Sequence, residues 1–283
     1  MKVAVTGAAG RIGRAVLREL KEVGGHTVWA IDRVLPPPGS ADRALFADLA
    51  DPGSVYGVLV GAEAVVHLGA YPSTAHHPEE HVFVNNSAAC ANVAAACRAL
   101  GIRRVVYTSS ITIYNLGWQA RHGGITSLPT DESVGHHPDD SYALSKWVGE
   151  EVFALASEES GLQTASLRPS LVIGPDEWTT RGQPREKAID GLWGHVDSRD
   201  VALAARLALE HLDELGAGNH PFNVNAAIAH SRRPLAEVLP ELVPELAPLA
   251  ATLKGLDAAF GIEKARRILG YEPRHSWQTE LGA

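Results

Sequence analysis

The 283-residue chain reads as an α/β protein, a doubly wound parallel sheet with a small C-terminal substrate-binding lobe. Three observations predict this. Short Val-rich runs alternate with helical apolar patterns as far as residue 225. Several runs, such as Val65-Val66-His67-Leu68 and Val105-Val106-Tyr107, are apolar almost throughout, as strands buried on both faces are. The first run leads straight into a glycine-rich turn and a helix.

The elements follow in order. Lys2 to Val5 is the first strand, over 2–6, and Ile12, Val16, Leu17 and Leu20 share one face of a helix over 11–24. His26 to Ile31 forms a second strand over 26–32, followed by the stiff Pro36-Pro37-Pro38-Gly39-Ser40 loop. Further strands are expected over 44–46, 63–68, 103–109, 162–168 and 221–225. Helices are expected over 52–61, 79–100, 140–160 and 197–213, with another near 262–269. Cys90 and Cys97 are seven apart in the Ala-rich 79–100 helix, a core-face spacing that suggests neither a metal nor a disulfide framework. The rhythm breaks at 110–138, 169–195 and 226–283, each time after a strand end, where open α/β sheets place their ligands.

The turn Thr6-Gly7-Ala8-Ala9-Gly10-Arg11-Ile12-Gly13 has the chemistry of a dinucleotide cradle. Gly7 permits the tight turn, Gly10 lets the backbone approach a pyrophosphate, and Gly13 lets helix and strand pack closely. The pyrophosphate then meets the positive N-terminus of the helix, beside Arg11 and Ile12. Asp32 ends the second strand about 20 residues on, where a carboxylate accepts from an adenosine ribose and repels a 2′-phosphate. NAD is therefore favoured over NADP, although Arg33 and Arg11 could each reach a phosphate. Residues 1–168 are expected to form this Rossmann domain, with 196–225 returning to it, and 169–195 and 226–283 to form the lobe.

The run Ser141-Tyr142-Ala143-Leu144-Ser145-Lys146 places Tyr142 and Lys146 one helical turn apart, on one face. An ammonium beside a phenol favours the phenolate, which makes a general base able to work near neutral pH. The formal net charge of −8 argues against a nucleic-acid surface. No apolar run approaches the roughly 18 residues of a membrane span, and the chain opens directly into a strand without a signal peptide. A soluble cytoplasmic enzyme is the expectation.

With these pieces in order, the chain resembles the extended short-chain dehydrogenase/reductase superfamily, in its NAD-dependent epimerase/dehydratase group, from Val3 to Val201. Asp48-Leu49 looks like the pair that contacts adenine. His67-Leu68-Gly69-Ala70 is similar to the family's His-Leu-Ala-Ala, which passes under the cofactor, and Asn86 matches its structural Asn. Thr108-Ser109-Ser110-Ile111-Thr112-Ile113-Tyr114 resembles the Ser-Ser-Ser-x-x-x-Tyr motif, so Ser110 falls on the catalytic hydroxyl and Tyr142 and Lys146 on the catalytic pair. Arg168-Pro169-Ser170-Leu171-Val172-Ile173-Gly174-Pro175 is similar to the strand end beside the nicotinamide, which places Pro169 there. Gly194 to Val201 and Phe260 to Trp277 resemble the family's later segments. A homodimer pairing the 79–100 and 140–160 helices is implied by the resemblance alone.

The departures bear on substrate. Only the 175–194 segment separates Gly174 from His195, whereas nucleotide-sugar epimerases carry a longer insertion there. Leu171 stands where several of those enzymes carry a substrate-binding Asn, and an apolar side chain cannot replace its hydrogen bond. Ile111 and Thr112 stand where sugar-nucleotide dehydratases need an acidic pair, so dehydration is not expected. A smaller substrate follows, and the uronate dehydrogenases, short members of the superfamily, are a partial match. The leading expectation is an NAD-dependent oxidoreductase for a small sugar, sugar acid or other secondary alcohol. The alternatives are a nucleotide-sugar epimerase with a reduced lobe and a non-catalytic NAD sensor. Trp118, Arg121 and His122 are candidate pocket residues, with an Arg suited to a carboxylate. His76, His77, His136 and His137 read as solvated loop residues, because no Cys, Asp or Glu pattern completes a metal site.

Overall fold

The Val-rich runs become strands of one seven-stranded sheet in the computed structural model, which describes residues 1–114, 125–185 and 190–282. In chain order the strands are β1 (Lys2–Thr6), β2 (Thr27–Asp32), β3 (Arg43–Phe46), β4 (Ala64–His67), β5 (Arg104–Thr108), β6 (Gln163–Pro169) and, after a separate pair, β9 (Gly218–Val224). The sheet order is β3-β2-β1-β4-β5-β6-β9. The β1–β2, β2–β3, β1–β4, β4–β5 and β5–β6 pairs are all parallel. Strand order therefore reverses at β1, with β2 on one side and β4 on the other. That is the switch point at which such sheets open a crevice at their carboxyl ends.

Helices α1 (Arg11–Val23), α2 (Pro52–Leu59), α3 (Glu79–Leu100), α4 (Ser141–Ser160) and α5 (Ser198–Leu215) accompany the sheet. The period of two along each strand decides which helix meets which residue. Ala4, Ile31, Val65, Val105 and Tyr107 pack with Val55 and Leu59 of α2, Cys90, Val93 and Cys97 of α3, and Phe153 of α4 in one buried cluster. α1 lies against β1 and β2 and is tied to α5 by the Arg206–Glu19 ion pair at 2.8 Å. Both cysteines are buried free thiols, as their spacing predicted.

The chain divides into two compact units. Unit 1 comprises Met1–Ser109, Asp140–Leu167 and Ala202–Pro221; unit 2 comprises Ser110–Asp139, Arg168–Val201 and Phe222–Ala283. Unit 2 contains short elements, of which the sequence anticipates the helix expected near 262–269. Strands β7 (Leu171–Ile173) and β8 (His195–Asp197) pair in parallel, and four helices follow: α6 (Leu235–Leu242), α7 (Ala247–Ala250), α8 (Glu263–Leu269) and α9 (Trp277–Leu281). Ile173, Trp178 and Trp277 form a small core there. Among the described residues no helix is long and apolar enough to cross a membrane.

Candidate active site

Gly7 and Gly13 are as closely confined as their spacing predicts. Gly7 has φ +67, and a Cβ there would lie 2.7 Å from the Gly69 amide nitrogen. A Cβ on Gly13 would lie 2.2 Å from the Gly7 carbonyl oxygen. Gly10, the residue before α1, meets only that same oxygen, at 3.2 Å, so its outer side is open. No side chain caps α1 and no acidic residue stands in its first turn. The positive end of the helix dipole therefore faces the turn without a carboxylate in its first turn. Arg11 and Ile12 begin that helix half-buried.

Asp32 serves the turn directly. Its Oδ2 accepts from the Ala9 amide at 2.9 Å and its Oδ1 from the Val34 amide at 3.1 Å. A carboxylate offers about four lone-pair sites, so acceptor capacity remains for a ribose. Thr6 ties the turn to the end of β4: its Oγ1 accepts from the Leu68 and Gly69 amides at 3.2 and 3.3 Å and lies 2.8 Å from His67 Nδ1. Burial first, and the Lys146 charge second, pull the His67 pKa down to about 3, so its ring is neutral.

The glycine of His67-Leu68-Gly69-Ala70 has its own reason. A Cβ at Gly69 would lie 2.2 Å from Leu49 Cδ1, so the Leu49 side chain occupies that space. Asp48 Oδ1 accepts from the Ala50 amide at 3.0 Å and shapes the same segment. Asn86 is committed to the fold: its Oδ1 accepts from the Tyr71 amide at 2.8 Å. Its Nδ2 donates to the Tyr71 carbonyl and to Ser145 Oγ, both at 3.1 Å. The residue fastens the loop after β4 to α4.

On α4, Asp140 caps the helix by accepting from the Ala143 amide at 2.6 Å. Tyr142 and Lys146 face the same way, with the Lys146 Nζ 5.7 Å from the Tyr142 ring centre. The ammonium is buried and donates to the Thr108 carbonyl oxygen at 2.8 Å. Desolvation lowers its pKa to about 8. Gly149 lets α4 approach β5, since a Cβ there would lie 2.3 Å from the Tyr107 hydroxyl. The buried Thr108 and Ser109 hydroxyls, at and just past the end of β5, have no hydrogen-bond partner.

Ser110 and Pro169 belong to unit 2. Ser110 is buried, and its Oγ accepts from the Thr112 amide and hydroxyl at 3.2 and 3.0 Å, which leaves its own O–H to donate. Arg168, just before Pro169, donates to the Tyr114 hydroxyl at 2.6 Å and lies 2.9 Å from His136 Nε2. His136 is thus packed on a buried guanidinium, and the His77 ring lies tilted against the Tyr71 ring, 4.0 Å between centres. Neither is the merely solvated loop residue that the sequence suggests: Arg168 is 32 residues from His136, and the Tyr71–His77 contact within one loop follows no helical or strand period. Trp118, Arg121 and His122 lie outside the described residues. No group of His, Cys, Asp and Glu able to hold a metal occurs among the described residues. Tyr71 escaped the sequence reading, although it directly follows Ala70 of the cofactor-strand motif.

Comparison with known proteins places these features in a family. The model of the NAD dependent epimerase/dehydratase family matches residues 3–225. A 2-alkyl-3-oxoalkanoate reductase of Stenotrophomonas maltophilia is 35% identical over 194 residues, which is 68% of this chain and 57% of the relative. A uronate dehydrogenase of Pseudomonas putida is 28% identical over 171 residues, 59% of each chain. The match thus spans less than two thirds of either relative's length. In three dimensions the chain is similar to a short-chain dehydrogenase/reductase superfamily protein from Agrobacterium tumefaciens solved with bound NAD. The TM-score is 0.75 at 24% identity, covering 100% of this chain and 95% of that one.

Proposed function

Because the chain belongs to the NAD-dependent epimerase/dehydratase family, we propose that it is an NAD-dependent oxidoreductase. It moves a hydride between nicotinamide and a secondary alcohol or carbonyl of a small sugar, sugar acid or related substrate. The observation that carries this reading is the buried Lys146 ammonium, fixed on the Thr108 carbonyl one helical turn from the Tyr142 phenol.

The residues fit the cofactor. Gly7 and Gly13 have no room for a side chain while Gly10 is open, and the Thr108 and Ser109 hydroxyls lack a partner inside the protein. The α1 amides would hold the diphosphate, Asp32 the adenosine ribose, and Asp48, Leu49, Leu68 to Ala70 and Pro169 the flanking surfaces. NAD, when bound, supplies the acceptor for the carbinol hydride. Tyr142 as phenolate takes the hydroxyl proton in oxidation and returns it in reduction. Lys146 favours that phenolate electrostatically. By the family resemblance, Ser110 would supply a hydroxyl that donates to a substrate oxygen. Asn86 acts on the site by holding the Tyr71 loop.

Unit 1 is the cofactor domain in this reading and unit 2 the substrate lobe. Two reduced, buried thiols suit a cytoplasmic protein. The exposed Val84 on α3 and Leu144 and Leu155 on α4 support a homodimer through those neighbouring helices. The two curated relatives are named for substrates that carry a carboxylate, so the test starts there. Purified protein with NAD and a panel of uronic acids, hydroxy acids, aldoses and simple secondary alcohols should form NADH with one class. Binding of NADH with no turnover across the panel, but interconversion of a nucleotide sugar, would replace this reading with the epimerase.

A further inference from the structure

Sequence leaves Arg33 ambiguous, since a guanidinium next to Asp32 could receive a 2′-phosphate. The structure occupies it. Arg33 lies over the Tyr71 ring, its guanidinium carbon 5.2 Å from the ring centre. Arg33 follows β2 and Tyr71 follows β4, and these two strands flank β1 on opposite sides. The contact thus joins the segments that follow the two strands flanking β1. A 2′-phosphate on a ribose held by Asp32 would have to take the guanidinium from the Tyr71 ring.

Tyr71 is the fixed member of the pair. Asn86 holds both its amide and its carbonyl, and His77 and His81 pack on its ring at 4.0 and 5.3 Å between centres. Arg33 is an exposed, long side chain with the Asp32 and Asp48 carboxylates as further neighbours. Swinging it to a phosphate forfeits the ring contact. We propose that Tyr71 is a specificity-determining residue that favours NAD over NADP by withholding Arg33 from the 2′-phosphate position. This rests on the nicotinamide-dependent function proposed above and names a residue of the same site.

The test is the ratio of NADPH to NADH affinity, read from nicotinamide fluorescence with the purified full chain and no substrate. Wild type should bind NADH more tightly. Tyr71→Leu should raise the NADPH:NADH affinity ratio about fivefold, the equivalent of one surface cation–π contact. Tyr71→Phe, which keeps the ring and loses the hydroxyl, should give a smaller rise and serves if the leucine variant does not fold. Adding Arg33→Ala to either variant should abolish the gain. A ratio unmoved in both Tyr71 variants, or a gain that survives Arg33→Ala, would overturn the inference while leaving the proposed function standing. Failure of wild type to bind either nucleotide would overturn both.

Discussion

At the scale of single residues, Lys146 carries the largest electrostatic cost in the site. A lysine ordinarily holds its proton up to 10.5, and burial makes Lys146 release it at about 8. Between those values the unfolded chain binds the extra proton. Stability therefore rises with pH across that window, and the cost of burying the ammonium is fully present below it. Lys146→Met should accordingly melt higher than wild type near neutral pH, by an amount on the order of 2 kcal/mol after the lost Thr108 bond is counted. That advantage should shrink as pH climbs toward 10.5. Thermal melts across pH check this, and a variant less stable than wild type at neutral pH would contradict it. Such a cost supports the role in chemistry proposed for Lys146. The Tyr142–Lys146 spacing was legible in sequence because it lies within one helix. The Thr108 carbonyl that anchors the ammonium and the Arg33–Tyr71 contact were not, since each joins segments far apart in the chain.

At the scale of elements, close approach decides the site's shape. Gly69 at the end of β4 leaves its Cβ space to Leu49, which follows β3. Gly69→Ala should destabilise by about 1–3 kcal/mol through overpacking. Leu49→Ala in the same chain should recover part of that loss, so that the two changes are non-additive. Denaturant unfolding of the two single variants and the double variant measures the coupling, and strict additivity would show that the two side chains do not compete for that space. The strands and long helices were readable because period-two and period-3.6 patterns are local. The predicted 79–100 helix is observed over the same residues, and the 26–32 strand begins one residue later, at Thr27. The β7–β8 pair was not readable, since its three-residue strands are too short for either period to show. Glycine itself was legible at 69, but its partner Leu49 was not.

At the scale of the whole molecule, the order of motifs along the chain said more than any one of them. A glycine turn, an acidic second-strand end and a Tyr-x-x-x-Lys helix are each weak alone, and together they restrict the chain to one family. Substrate was less legible, because 110–138, 169–195 and 226–283 break the strand–helix rhythm of the sequence and carry no motif that names a substrate. If α3 and α4 form the self-contact proposed above, light scattering should report a particle of twice 30.1 kDa. Val84→Asp with Leu155→Asp should shift it to the monomer, and a monomeric wild type would contradict the pairing. The central claim is that this chain moves a substrate proton through Tyr142, and Tyr142→Phe tests it most directly. With the substrate found in the panel, the variant should lose about 10²–10⁴-fold in turnover and still bind NADH as wild type does. Turnover near the wild-type rate with NADH binding intact would contradict the assignment of Tyr142 as the catalytic acid–base.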